Sequence, residues 1–363
     1  MAKKCSLLIE PGYRVQVPPF GLMKISSWRK SLGEDIASCH GNAPWLRKDK
    51  PDSVFITSLF TYQWENVANS ASYYKALFPD AEFHLGGIYA SLMPEHAKKH
   101  TGIEPHKGLL EESEPFPPDL AQFSSWPGSN ASYAFTTRGC PNSCKFCGSK
   151  KICKDFRIVE GWESHIDPAR PLIVLHDENI TAAPFEHYKS VMQFLAASKK
   201  PVLFNNGFDC RLFTEDHADL LAKVKNKSVR FAFDTMAQDG YIQDAIRMCL
   251  KRKIARSDML VYILHNFNDT IDDAMYRAKE VHALGVKPYP MRYKPLDWLT
   301  PKKRYVSPKW TERDVIDFYN YWKSFVAPNK VTFEEWKATG RNYAHSNRRA
   351  RQLLKSKDKS NRF

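Results

Sequence analysis

Thr136-Thr137-Arg138-Gly139-Cys140-Pro141-Asn142-Ser143-Cys144-Lys145-Phe146-Cys147-Gly148 decides how this chain is read. Its three cysteines stand in a C-x3-C-x2-C spacing, directly after an apolar run, Tyr133-Ala134-Phe135-Thr136, that predicts a strand. Three thiolates on one short loop can hold three irons of a cubic 4Fe–4S cluster and leave the fourth iron open. Structural zinc competes, with Cys153 as the fourth ligand. Against it, zinc modules pair their cysteines as C-x2-C twice, and the sequence holds no second such pair. Unmetallated buried thiols are the third possibility.

Downstream of this loop, strand and helix patterns alternate. Pro171–Leu175, Val202–Asn205, Val229–Phe233, Met259–Leu264 and Lys287–Tyr293 predict strands, so six are expected with the one before the cysteines. Phe185–Leu195, Thr214–Val224 and Ile271–Leu284 predict helices, the last stopped by Gly285. Upstream, Cys5–Glu10, Asp35–Ser38, Ser53–Leu59 and Ala81–Leu85 predict strands. Helices open at Pro18-Pro19-Phe20-Gly21 and span Trp64–Phe78. Such alternation predicts an α/β chain with parallel sheets. Residues 111–131, rich in proline, serine and acids, form the expected linker between a first domain (1–110) and a second (132–300). An aromatic-rich helix over Trp310–Phe325 and another from Phe333 belong to a helical C-terminal extension (301–363) with a basic tail.

The cysteine loop resembles that of the radical S-adenosylmethionine (radical SAM) superfamily. Besides the spacing, Thr136-x-Arg138-Gly139-Cys140-Pro141 and the aromatic Phe146 carry the likeness. The resemblance implies that Cys140, Cys144 and Cys147 bind a 4Fe–4S cluster whose open iron chelates the methionine part of SAM. An electron from a flavodoxin or ferredoxin would pass through the cluster and cleave the sulfonium, and the resulting 5′-deoxyadenosyl radical would abstract hydrogen from a substrate. It also implies a partial (β/α)6 barrel. The first 110 residues resemble the Rossmann-like cobalamin-binding domain that precedes many such barrels, on Pro18-Pro19-Phe20-Gly21-Leu22, Ile56-Thr57-Ser58 and Leu85-Gly86-Gly87-Ile88-Tyr89-Ala90. Ser58, Gly86 and Gly87 match positions along the nucleotide tail of cobalamin. The cobalt-binding D-x-H-x-x-G is absent after the first strand, where Glu10-Pro11-Gly12-Tyr13-Arg14 stands, and His84 falls on the fourth strand. Cobalamin binding and a cofactor-free Rossmann remnant both stay open, and with them methyl transfer or plain hydrogen abstraction.

Polar residues ending barrel strands are the other candidates, because barrel ligands enter there. Asp177 and Glu178 offer acceptors for the SAM ammonium, although Asp177 could equally cap a helix. By the same resemblance Arg211 would take the SAM carboxylate, Asn205 and Asn206 its ribose, and the backbone at Leu264 its adenine. Asp234 ends the fourth barrel strand; Tyr289, Arg292 and Tyr293 are possible substrate contacts. Each could instead pair within the barrel. Phe146 would pack beside the cluster and keep water away.

Of 363 residues, 43% are hydrophobic and 26% charged, an ordinary globular balance. Eight cysteines are too few for a disulfide scaffold, and an oxygen-sensitive cluster suits a reducing cytosol. The N-terminal apolar run is short for a signal peptide, and no stretch approaches the ~18 apolar residues of a membrane helix, so a cytoplasmic protein without membrane contact is expected. Half of the net charge of +14 sits in residues 341–363, where eight arginines and lysines face Asp358 alone. Such a tail binds nucleic-acid phosphates or is simply solvated. A non-catalytic nucleic-acid-binding protein with a structural zinc is therefore the alternative from another class.

Overall fold

The structure, a computed structural model, describes residues 3–14, 18–43, 50–300, 304–324 and 327–339. The basic segment 341–363, with the nucleic-acid contact expected of it, and most of the link between the second and third strands (44–49) lie outside the described residues.

The chain opens with four parallel strands: β1 (Cys5–Glu10), β2 (Asp35–His40), β3 (Ser53–Ser58) and β4 (Glu82–Gly87), in the order β2-β1-β3-β4. In β1, Leu7, Leu8 and Ile9 are all buried, as expected for a parallel strand covered on both faces. Leu7 and Ile9 pack in one core with α2 (Trp64–Leu77). Leu8 packs in a second core with Leu22 and Met23 of α1 (Phe20–Ser31). Two short helices, α3 (Ile88–Leu92) and α4 (Pro94–Thr101), follow β4; α4 has proline in its first turn and stops at Gly102 in the left-handed conformation (φ +65°).

The barrel strands begin with β5 (Ala131–Ala134), two residues earlier than the sequence suggests. A two-residue antiparallel ribbon, β6 (Thr137–Arg138) with β7 (Arg157–Ile158), brackets the cysteines and α5 (Ser149–Ile152). Then come β8 (Leu172–Leu175), α6 (Phe185–Ser198), β9 (Val202–Phe204), α7 (Glu215–Lys223) and β10 (Lys227–Ala232). β5, β8, β9 and the start of β10 are neighbours in that order and run parallel. The rest continues with α8 (Tyr241–Lys251), β11 (Met259–His265), α9 (Ile271–Ala283) and β12 (Lys287–Arg292), β11 and β12 pairing in parallel. Helices α10 (Glu312–Lys323), α11 (Ala327–Lys330) and α12 (Phe333–Thr339) close the described chain. Thr214, Thr270 and Thr311 cap α7, α9 and α10 by accepting the N–H three residues on.

Contacts divide the chain into two compact units. One comprises residues 1–229 with 295–303, and the other 230–294 with 304–363 as far as described. The linker is not an exposed strap. Leu120 and Phe123 sit in the core that also holds Leu8, Phe55, Ala131, Tyr133 and Val174, so the four-stranded sheet and the first barrel strands share one apolar interior. No helix among the described residues is long and apolar enough to cross a membrane.

Candidate functional site

The cysteine loop is fixed at its root before any cysteine is reached. Past β5, Thr136 and Thr137 are fully buried and turn onto the carboxylate of Asp177, which follows β8. One oxygen of Asp177 accepts the N–H and hydroxyl of Thr136 (2.7 and 2.9 Å) and the N–H and hydroxyl of Thr137 (2.8 Å for the hydroxyl). Burial, opposed by these bonds, raises the Asp177 pKa. Asp177 thus gives one oxygen to the turn, while its other oxygen is buried without a hydrogen-bond partner; neither composition nor spacing signals the two threonines as partners.

Gly139 makes the next bend. Its φ is +77°, and a Cβ there would lie 2.4 Å from the Asp155 carbonyl and 3.2 Å from the Cys153 sulfur. Only glycine fits. The Gly139 N–H donates to Glu178 at 3.1 Å. Arg138 lies over the ring of Phe135 (3.8 Å), 2.9 Å from Glu114 of the linker and 3.7 Å from the other Glu178 oxygen. Glu114 also pairs with the buried Lys24 of α1 at 3.4 Å. Burial lifts Glu178 to about 7 against the pull of Arg138.

Within the loop, Cys140 and Cys144 are half-buried and Cys147 is exposed. Asn179 donates to the Cys140 sulfur at 3.8 Å, and the Ser149 N–H donates to Cys147 at 3.5 Å. Such bonds favour thiolates and tune a cluster's potential. Asn142 donates to Asp209 at 2.9 Å; Asp209 takes a two-point grip from Arg211 (2.9 and 2.6 Å), and its N–H donates to Thr181, which in turn donates to Asn179. The loops after β8 and β9 therefore hold the cysteine loop at both its first cysteine and Asn142. Arg211 keeps three of its five N–H groups beyond that grip, and Cys144 lies within its field. Asn205 and Asn206 both turn to His176, one to its ring (3.2 Å) and one to its carbonyl (2.7 Å). Phe146 is half-buried. Cys153 is buried and donates to the Asp155 carbonyl at 3.3 Å.

At the carboxyl end of the four-stranded sheet, the Ser58 hydroxyl donates to the Gly86 carbonyl (2.7 Å) and accepts the Ala90 N–H (3.0 Å). Gly87 has φ +100°, and a Cβ on it would meet the Ser58 carbonyl oxygen at 2.2 Å. The close approach it permits is to the Ser58 backbone. Gly86 differs: a Cβ there meets nothing within 4 Å. His84 stacks on Phe55 (4.4 Å between ring centres) as an ordinary strand residue.

In the second unit, the β10–β11 ladder is completed by a side chain. The Phe233 N–H donates to the Tyr262 carbonyl at 2.8 Å, but the Phe233 carbonyl is taken by fully buried Arg277 of α9 at 2.6 Å. Burial raises the pKa of the Asp234 carboxylate to about 6, with the Arg277 charge acting against the rise. Arg277 also pairs with Asp269. Fully buried Asn266, left-handed at φ +65°, ties the turn after β11 to Tyr305 and Ser307. Sequence patterns gave no sign of Arg277 or Asn266.

No protein-family model matches the chain, and no curated protein does. Among solved structures it is similar to the radical S-adenosylmethionine methyltransferase TsrM from Kitasatospora setae with cobalamin and a [4Fe-4S] cluster bound. The identity is 14% and the TM-score 0.66, over 82% of this chain and 77% of that one. The same enzyme with tryptophan substrate and the SAM analog aza-SAM bound matches at 14% identity and a TM-score of 0.64, over 80% and 73% of the two chains. The fold is thus like that enzyme's, an α/β chain with a Rossmann-like parallel sheet followed by a partial barrel of parallel strands.

Proposed function

We propose that this chain is a radical SAM enzyme in which Cys140, Cys144 and Cys147 hold a 4Fe–4S cluster, and that it transfers a methyl group with the help of cobalamin. The observation that carries this is the three-cysteine loop, gripped by Asp177, Glu178, Asn179 and Asp209, in a fold similar to that of a cobalamin- and cluster-bearing methyltransferase. The donor set fits a cluster better than zinc. Cys153, the ligand a zinc would add, is turned to the Asp155 carbonyl. In a cubane each thiolate holds its own iron, so the sulfurs stand apart.

When bound, the cluster supplies the electron and the open iron that activate SAM, and cobalamin carries the methyl group. The chain's residues bind and orient. Glu178 accepts from the SAM ammonium while steadying Gly139. The N–H groups of Arg211 not engaged by Asp209 take the SAM carboxylate. Asn205 and Asn206 serve the ribose, and the Leu264 backbone the adenine. Phe146 keeps water from the cysteines. The open side of Gly86 leaves room for the tail of cobalamin beside Ser58 and Gly87.

Anaerobic reconstitution with iron and sulfide tests this. The loaded chain is expected to hold about four irons, and under reduction to convert SAM to 5′-deoxyadenosine, or to S-adenosylhomocysteine once hydroxocobalamin is retained. Cys144→Ala is expected to lose iron and turnover together. Iron-free protein carrying one zinc would overturn the proposal.

A further inference from the structure

At the carboxyl end of β12, Arg292 stands beside His265 of β11 in the strand register. The Nε of Arg292 is enclosed and has no hydrogen-bond partner. Two more cations share its surroundings. Burial and then the charge of Arg304 disfavour the charged form of Arg292, and burial and then Arg292 do the same to Lys294. Tyr319 and a single acid, Glu312, are the other titratable groups facing Arg292. Glu312 is exposed and lies 3.4 Å from Arg304. His265 is held neutral by burial, at about 3, and offers no countercharge.

Two arginines beside one exposed carboxylate, with a lysine in the field of Arg292 and an enclosed guanidinium N–H left unmet, are a costly arrangement for a purely structural purpose. An anion would offset both the repulsion and the unmet donor. Arginine presents planar paired donors that match a carboxylate or phosphate, and the carboxyl ends of barrel strands are where ligands bind. We propose that Arg292, Lys294 and Arg304 form an anion site that takes a carboxylate or phosphate group of a small molecule at the end of β12. The site does not depend on the cluster or on SAM.

The test is the melting temperature of the full chain in sodium phosphate, sodium malonate and sodium chloride at matched ionic strength. Phosphate or malonate is expected to stabilise the wild type above chloride. A response to phosphate alone assigns a phosphoryl ligand, and one to malonate a carboxylate ligand. Arg292→Gln and Arg304→Gln should each weaken the response roughly tenfold in apparent Kd. Glu312→Gln, which removes the competing acid, should strengthen it. Any effect of the basic segment 341–363 is common to wild type and variants. If Arg292→Gln does not fold, the exposed Lys294→Gln and Glu312→Gln must still move the apparent Kd in opposite directions. No anion-specific stabilisation of the wild type, or an unchanged response in the variants, would overturn the site.

Discussion

Fully buried Arg277 of α9 holds the chain just past the end of β10 at a backbone carbonyl beside Asp234. That carbonyl, of Phe233, is engaged by Arg277 at 2.6 Å. The end of β10 is therefore set by a side chain, and its geometry depends on Arg277.

Asp234→Ala takes a carboxylate from beside the buried Arg277, at a cost of about 1–3 kcal/mol. SAM affinity of the cluster-loaded enzyme is expected to fall about tenfold, measured by equilibrium dialysis. Asp234→Asn keeps an acceptor oxygen and should stay near wild type. Equal loss in both variants would mean that the charge matters and the acceptor oxygen does not.

Arg277 is fully buried between Asp234 and Asp269. Removing it strands two carboxylates, and Arg277→Met should cost about 3–5 kcal/mol in urea unfolding. Adding Asp269→Asn should recover part of that loss, which a packing defect alone would not allow.

Gly86 and Gly87 separate stability from cofactor binding. Gly87→Ala forces a Cβ within 2.2 Å of the Ser58 carbonyl oxygen at a left-handed φ of +100°, and should destabilise by about 3 kcal/mol or more. Gly86→Ala meets no neighbour and should leave the urea midpoint nearly unchanged while reducing retention of hydroxocobalamin. A Gly86→Ala protein that keeps the corrin spectrum of wild type would move the cofactor elsewhere.

Glu10 is 2% exposed, and burial lifts its pKa to about 7 while the indole N–H of Trp126 acts against the rise. The folded pKa lies above the ordinary glutamate value of 4.5, so this group's contribution is fully present below pH 4.5 and is lost as pH rises through about 7. Urea midpoints should decline across that window in wild type more than in Glu10→Gln. Parallel pH profiles would show that Glu10 titrates normally.

Much of the fold is legible in the chain because parallel strands buried on both faces read as unbroken apolar runs. Cys5–Glu10 and Met259–His265 are plain from their composition. The pair α3 and α4 is harder to see, since Pro94 splits the stretch into pieces of five and eight residues. So is the β6–β7 ribbon, which has two residues a side. The three cysteines announce the site through spacing alone. Its supports do not, because a partner far along the chain decides each: Thr136 and Thr137 claim Asp177, Ser58 explains Gly87, and Phe233 needs Arg277. Glu111–Asn130 reads as a linker from its prolines, yet Phe123 within it is fully buried.

That buried linker makes the two α/β segments inseparable in practice. Severing the chain near residue 110 would bare Leu8 and Phe55 on one fragment and Tyr133 and Val174 on the other, since all four share the interior that Leu120 and Phe123 fill. Neither piece could be expressed, exchanged between proteins or evolved as a cassette without the other. Any chimera that grafts a new cofactor domain onto this barrel must carry Leu120–Tyr133 and its matching surface along with the graft.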